Sequence, residues 1–214
     1  MIKNKVFNHS NLPYHYRLHS IKTENLAKDY SALKIYLNNI ITNCPNDYFN
    51  SGPRSSSLNF KIDFDIKSIT GHEISTLARY ALDSNNLGLD EHSKVENFMI
   101  ENDNKTIAIE IPLWIKNDEI KNFKTIFKSS LPLTGHIDIL RIEDNKIWIW
   151  DYKPRAKDEK YASTQVYFYA IMLSKRTNIP LSNFMCGYFN KDYSFIFKPK
   201  EEMIKFSRPL AKFF

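Results

Sequence analysis

Apolar and polar positions recur with two different periods along this chain, and the change of period marks out its elements. Leu26, Tyr30, Leu33, Leu37 and Ile41 return at steps of three and four, which predicts an amphipathic helix over 24–43, closed by Pro45. Two shorter helices are expected over 72–83 and 90–102, the second with Asp90 as its N-cap. From Thr106 the period falls to two. Ile107, Ile109, Ile111, Leu113 and Ile115 predict a strand with one unbroken apolar face, from which Glu110 points away. Residues 133–140 and 147–152 predict antiparallel strands joined at the polar turn Glu143-Asp144-Asn145-Lys146. A helix over about 158–176 follows, then a hairpin around Lys191-Asp192 and a short helix over about 200–206. Residues 1–22 show no clear period and read as irregular, and 46–58 read as a polar loop, solvated unless its Arg54 and three serines touch phosphates. This order predicts an α/β fold, a mixed central sheet flanked by helices, over 61–214, with an N-terminal helical or irregular extension over 1–60.

Composition narrows the class. At 214 residues, 43% hydrophobic and 25% charged, the chain is an ordinary globular sequence with enough length for a sizeable core. Its longest apolar runs fall short of a membrane span and no cleavable signal pattern opens it, so the cytoplasm is the expected location. Two cysteines are too few for a disulfide framework or a four-thiolate iron–sulfur cluster. His15 and His19 have the spacing of a helical zinc pair, but no nearby ligands complete a site. The net charge of +6 is uneven: residues 1–60 carry +4, 61–152 carry −5 and 153–214 carry +7. Acids in the middle suit a cation and bases at the ends suit a polyphosphate, although a basic chain can also be merely soluble.

The chemistry concentrates where the predicted hairpin carries charge inside apolar strands. Asp138 interrupts one strand, Asp151 ends the other, and Lys153 follows on the same side as Asp151. Ionised groups in such surroundings need a partner or a metal, because burying a lone charge costs several kcal/mol or more. Hard carboxylate oxygens suit Mg²⁺ or Mn²⁺ better than zinc. An acid two residues before a lysine is by itself a weak signal, since it also occurs at Asp65, Asp103, Glu119, Asp144 and Asp158 in polar surroundings. Asp151 differs in ending an apolar strand, with Asp138 upstream and Gln165-x-x-x-Tyr169 on the helix that follows.

That set, Gly135-x-x-Asp138, Asp151-x-Lys153 and Gln165-x-x-x-Tyr169, resembles the PD-(D/E)XK nuclease superfamily and its RecB-like branch, over roughly residues 90–200. The resemblance implies a restriction-endonuclease-like core and a divalent-metal-dependent DNA nuclease. Asp138 and Asp151 would hold the metal, Lys153 would position or help deprotonate a water, and Gln165 and Tyr169 would support the site and contact the nucleic-acid backbone. An upstream histidine or acid often completes the metal shell. His92 is the expected residue, Glu96 its close competitor, His72 a distant one, and Glu110 a further ligand from the first core strand. Arg155, Lys157 and Lys160 are placed to hold phosphates, or else form a solvated charge run. The superfamily's proline is absent, Ile137 standing beside Asp138. The Gln-x-x-x-Tyr element favours an exonuclease or DNA-end-processing enzyme in repair, recombination or replication. A helicase or recombination protein would be a separate partner, since no Gly-x-x-x-x-Gly-Lys loop is present. The competing readings are a non-cleaving DNA-binding protein and a structure-selective junction endonuclease.

Overall fold

A computed structural model describes residues 1–84 and 88–201. Its centre is the strand run that the period of two predicts: β4 at Thr106–Ile115, β5 at Leu133–Glu143 and β6 at Lys146–Tyr152. Asp144 and Asn145, both with positive φ (49° and 53°), make the tight turn between β5 and β6, as expected for polar residues that tolerate the left-handed region. A short helix, α6 at Phe123–Phe127, lies between β4 and β5; after β6, helix α7 at Ala162–Thr177 crosses over to β7 at Phe184–Phe189, which pairs in parallel with β6. β8 at Tyr193–Phe197 then returns antiparallel. Mixed pairing and flanking helices are the predicted α/β architecture. The expected final helix over 200–206 lies almost wholly outside the described residues.

The N-terminal third corrects several expectations. Residues 1–22 are not irregular. Ile2–His9 and Leu12–His19 form a hairpin, β1 and β2, around Ser10 and Asn11 with φ of 52° and 63°. Its outer side is largely solvent-exposed and polar, so no apolar period advertises it; Phe7, Tyr16 and Leu18 are its buried apolar anchors on the core. In a strand, His15 and His19 lie about 13 Å apart at the usual rise, which removes the helical zinc spacing. The single helix of 24–43 is two, α1 at Ser20–Leu26 and α2 at Ser31–Asn43. Tyr30 sits in the break and donates its hydroxyl to the Asn145 carbonyl at 2.7 Å. The loop of 46–58 is also built rather than loose: it holds a short helix, α3 at Tyr48–Ser51, and Arg54 bridges to Thr134 of β5. A short strand that the sequence did not announce, β3 at Lys67–Thr70, pairs with β8 at the sheet edge.

Among the described residues the sheet has eight strands in the order β1-β2-β4-β5-β6-β7-β8-β3. One core lies under α2 and α7, through Leu33, Leu37, Val166 and Ala170. The other lies under α4 at Glu73–Asp83 and α5 at Glu91–Asn102, through Ile74, Ala78, Val95 and Met99. β4 does not keep its isoleucines on one face: Ile107 and Ile111 join the first core, but Ile109 joins the second. The reason is local. The β4–β5 register shifts between Thr106 and Ala108, and Glu110 takes φ of 51°, so strict alternation breaks twice.

Candidate active site

The acids stand where ladders stop. The β5–β6 ladder ends at Ile139–Trp150, so the next residues along, Asp138 and Asp151, lie at the point where the strands part. The freed Tyr152 N–H donates to Asp138 Oδ2 at 2.8 Å instead of to a strand neighbour. The β2–β4 pairing likewise ends at Arg17–Ile109, and Glu110 comes next. Ending two ladders at one level opens room for these side chains in the sheet. A cavity of about 540 Å³ fills the gap beside β4, walled by the hairpin (Lys5, His15) and by α5 (His92, Glu96), with Glu110 in its lining.

Each polar group in this opening is held by another. His92, on the first turn of α5, donates from Nε2 to Asp138 Oδ2 at 3.0 Å. Asp90 caps that helix by accepting from the Ser93 N–H at 2.8 Å, as the sequence predicted, which fixes where His92 starts from. Lys153 Nζ stands 2.7 Å from Asp151 Oδ2. This ion pair gives the buried Asp151 Oδ2 its partner in the opening. Gln165 Nε2 donates both to Asp151 Oδ1 and to the Tyr169 hydroxyl, each at 2.8 Å. Gln165 and Tyr169 are only 7% and 3% exposed. They orient Asp151 from behind and expose little surface of their own.

The protonation states follow from this crowding. Burial alone would raise Asp138, but the charge and hydrogen bond of His92, with help from Lys153, hold it below the ordinary carboxylate range. In return His92, which burial would lower, rises to about 9. Asp151 is pushed up to about 7 by burial and then by Asp138, against the pull of Lys153. Glu110 is pushed up to about 8 by burial and Asp138, against His92 and Arg54. Glu96 lies beside Glu110 and is held well above its usual value by burial first and Glu110 second. Lys153 would be lowered by burial, but Asp151 and Asp138 keep it above the ordinary lysine range, so it is a firm cation.

Four buried or nearly buried carboxyl groups thus share two cations, and two of them retain protons near neutrality for want of more positive charge. A buried Glu96 Oε1 without a hydrogen-bond partner points the same way. This donor set fits a hard divalent ion. It is not a finished cage: among the described residues no three acid, histidine or cysteine side chains already stand in a metal-holding arrangement. Asp138 is turned to His92 and Tyr152, and Asp151 to Lys153 and Gln165.

Of the residues singled out from sequence, Asp138, Asp151, Lys153, Gln165, Tyr169, His92 and Glu110 come together here, with Glu96 alongside. His72 does not. It caps α4, accepting from the Ile74 N–H at 3.2 Å. Arg155, Lys157 and Lys160 lie exposed on the connection into α7, Lys157 with its ammonium 5.5 Å from the Tyr193 ring centre. The sequence does not reveal the Tyr152 amide contact, nor that the segment around Arg54 and Ser55 is fastened against β5. Gly135 of the quoted motif could have pointed to the latter. A Cβ there would stand 2.3 Å from Ser55 Oγ and 2.4 Å from Tyr169 Cε1, so the glycine is needed for close packing. Gly135→Ala is expected to destabilise the fold by about 1–3 kcal/mol, the usual range for overpacking. It should also displace Tyr169 and Gln165; an unchanged unfolding midpoint in urea would show that the contact is slack.

Comparison with known proteins agrees with the geometry. No curated protein matches this chain. Among solved structures, the crystal structure of SSO0001 is similar at 14% identity over 86% of this chain and 82% of that one, with a TM-score of 0.39, too low to carry an argument. The family model described as PD-(D/E)XK nuclease superfamily matches residues 73–208, a span that holds every acid, the lysine and the glutamine–tyrosine pair of the opening. That match covers more than half of the chain, which therefore belongs to the PD-(D/E)XK nuclease superfamily.

Proposed function

We propose that this protein is a divalent-metal-dependent DNA nuclease of RecB-like type, an exonuclease or DNA-end-processing enzyme acting with a separate helicase or recombination protein. The observation that carries the hydrolytic reading is the intact trio of Asp138, Asp151 and Lys153 at the point where β5 and β6 part, with Gln165 locking Asp151 from behind. A fold kept only for binding would have no need of an ammonium buried between two carboxylates.

Asp138 and Asp151 would hold Mg²⁺ or Mn²⁺, with His92, Glu110 or Glu96 completing the set. When bound, such an ion supplies Lewis-acid stabilisation of negative charge on phosphate oxygens. The chain's own groups do the rest. Lys153, whose charge is favoured by Asp151 and Asp138, offsets charge developing on the phosphate and positions or helps deprotonate the attacking water. Gln165 fixes the rotamer of Asp151, and the Tyr152 amide that of Asp138. Arg155, Lys157 and Lys160 lie on the exposed approach and would meet the strand's phosphates.

The test is cleavage of end-labelled single- and double-stranded DNA with Mg²⁺, Mn²⁺ or EDTA. Metal-dependent cutting is expected, and a ladder shortening from one end would establish an exonuclease. Tight DNA binding with no cutting under any metal would move the protein to the non-cleaving reading. Tighter binding to four-way junctions than to duplex at matched salt would favour the junction endonuclease.

A further inference from the structure

We infer that Arg54, which lies outside the residues matched to the family, is a phosphate-binding residue of this site, anchoring the nucleic-acid backbone near the parted strands. The inference rests on the nuclease reading above and adds a contact from the N-terminal region to it.

Position comes first. The Thr134 N–H donates to the Pro53 carbonyl at 2.9 Å, and Arg54 bridges to Thr134, so the segment is fastened to the start of β5, four residues before Asp138. Ser55 is fully buried over Gly135, against the ring of Tyr169. The sequence reading of a solvated loop fails here, and Arg54 is only half exposed.

The guanidinium is held but not neutralised. It lies 5.1 Å from the Tyr14 ring centre and donates from Nη2 to the Tyr14 hydroxyl. The Tyr14 ring stacks on His136 with centroids 3.7 Å apart, and Arg54 Nη2 reaches His136 Nδ1 at 3.5 Å. Behind His136 runs a directed chain. His9 Nε2 lies 2.9 Å from Asn46 Oδ1, and His9 Nδ1 lies 2.8 Å from His136 Nε2. Asn46 Oδ1 can only accept, so a neutral His9 gives its proton there and accepts from His136 Nε2–H. His136 Nδ1 is then a bare acceptor facing Arg54. Burial keeps both imidazoles on the neutral side. The result is a guanidinium aimed by neutral groups alone.

A charge comparison shows why that matters. Among the described arginines that are at least partly buried, Arg17, Arg141 and Arg176 each pair with a carboxylate. Among the described residues Arg54 has no carboxylate within ion-pair reach, although its charge is near enough to pull on Glu110. A partly desolvated, oriented guanidinium without a counter-ion, beside a site for phosphodiester chemistry, is matched by a phosphate oxygen pair, the geometry its planar fork fits best.

The experiment measures binding of a labelled DNA single strand in Ca²⁺ at several salt concentrations, and cleavage in Mn²⁺, for wild type, Arg54→Gln, Arg54→Lys and Lys153→Ala. Because the tie to β5 runs through the backbone, Arg54→Gln should fold with an unchanged melting temperature. It is expected to bind about tenfold more weakly, with the slope of log affinity against log salt shallower by about 0.7 for one lost phosphate contact. Arg54→Lys should recover the slope but not all of the affinity. An unchanged slope in Arg54→Gln, with wild type cutting and Lys153→Ala inert, would overturn the Arg54 assignment and leave the nuclease intact. A wild type that neither binds nor cuts would overturn both.

Discussion

Lys153→Ala is expected to lower the rate of DNA cleavage by about 10³-fold, the loss usual when one preorganised charge is taken from a transition state. The lysine's head group pairs with buried Asp151 and its charge also acts on Asp138, and no other cation among the described residues is paired with Asp151. His92 also acts on Asp151, but it is committed to Asp138. Removing the ammonium leaves the ligand oxygens themselves in place, so metal affinity measured by calorimetry should change far less than turnover. Equal losses of turnover and metal affinity would show instead that Lys153 serves only to assemble the site. His92→Ala makes the complementary comparison, since a ligand's loss should appear in the affinity itself.

The second large effect is on stability. Arg141 of β5 is fully buried and is held by three acids. Its Nε donates to Asp103 Oδ2 at 2.8 Å and its Nη2 to Asp103 Oδ1 at 3.2 Å, a two-pronged pairing; Nη2 also reaches Glu73 at 2.8 Å. Asp103 ends α5 and Glu73 begins α4, so one guanidinium pins both helices to the sheet. Asp103→Ala strands that charge, and breaking one side of a buried pair costs about 3–5 kcal/mol. For a chain of this size that is a fall in melting temperature of about 10 °C. The paired replacement Asp103→Leu with Arg141→Met should regain much of it, because both desolvation costs vanish together. If Asp103→Ala melts like the wild type, Glu73 and Glu143 alone satisfy the arginine. Since α5 carries His92, the same change should also loosen the Asp138 contact and reduce cleavage beyond what unfolding explains.

How much was legible in the sequence differs sharply between the two halves of the chain. From Thr106 to Phe197 each strand is buried on both faces or nearly so, and its run of isoleucine, tryptophan, tyrosine and phenylalanine is dense enough to be read directly. Asp138, Asp151 and Lys153 were legible because a charge inside such a run is an anomaly that demands a reason. The hairpin of 2–19 was not legible, because a sheet-edge ribbon with one wet side needs few apolar residues and shows no period. His92 and Glu96 were both placed on the helix before β4, and only tertiary contact gave His92 to Asp138 and Glu96 to Glu110. Arg54 reads from sequence as a loop residue, solvated or touching phosphates, because nothing local reveals that Tyr14, His136 and Thr134 gather around it.

The sequence by itself determined the class of fold, the carboxylates, the lysine and the glutamine–tyrosine helix. All of these are set by local periodicity, or by charges at fixed spacing within one hairpin and the helix that follows. Only the tertiary structure decided how the site is made. It parts β2 from β4 and β5 from β6 at one level, turns Glu110 inward through a left-handed backbone, and sets residues 14, 54 and 136 against one another. Those features arise from where ladders stop and which distant segments meet, and a one-dimensional pattern carries neither, because hydrogen-bond pairing between strands is a property of neighbours in space.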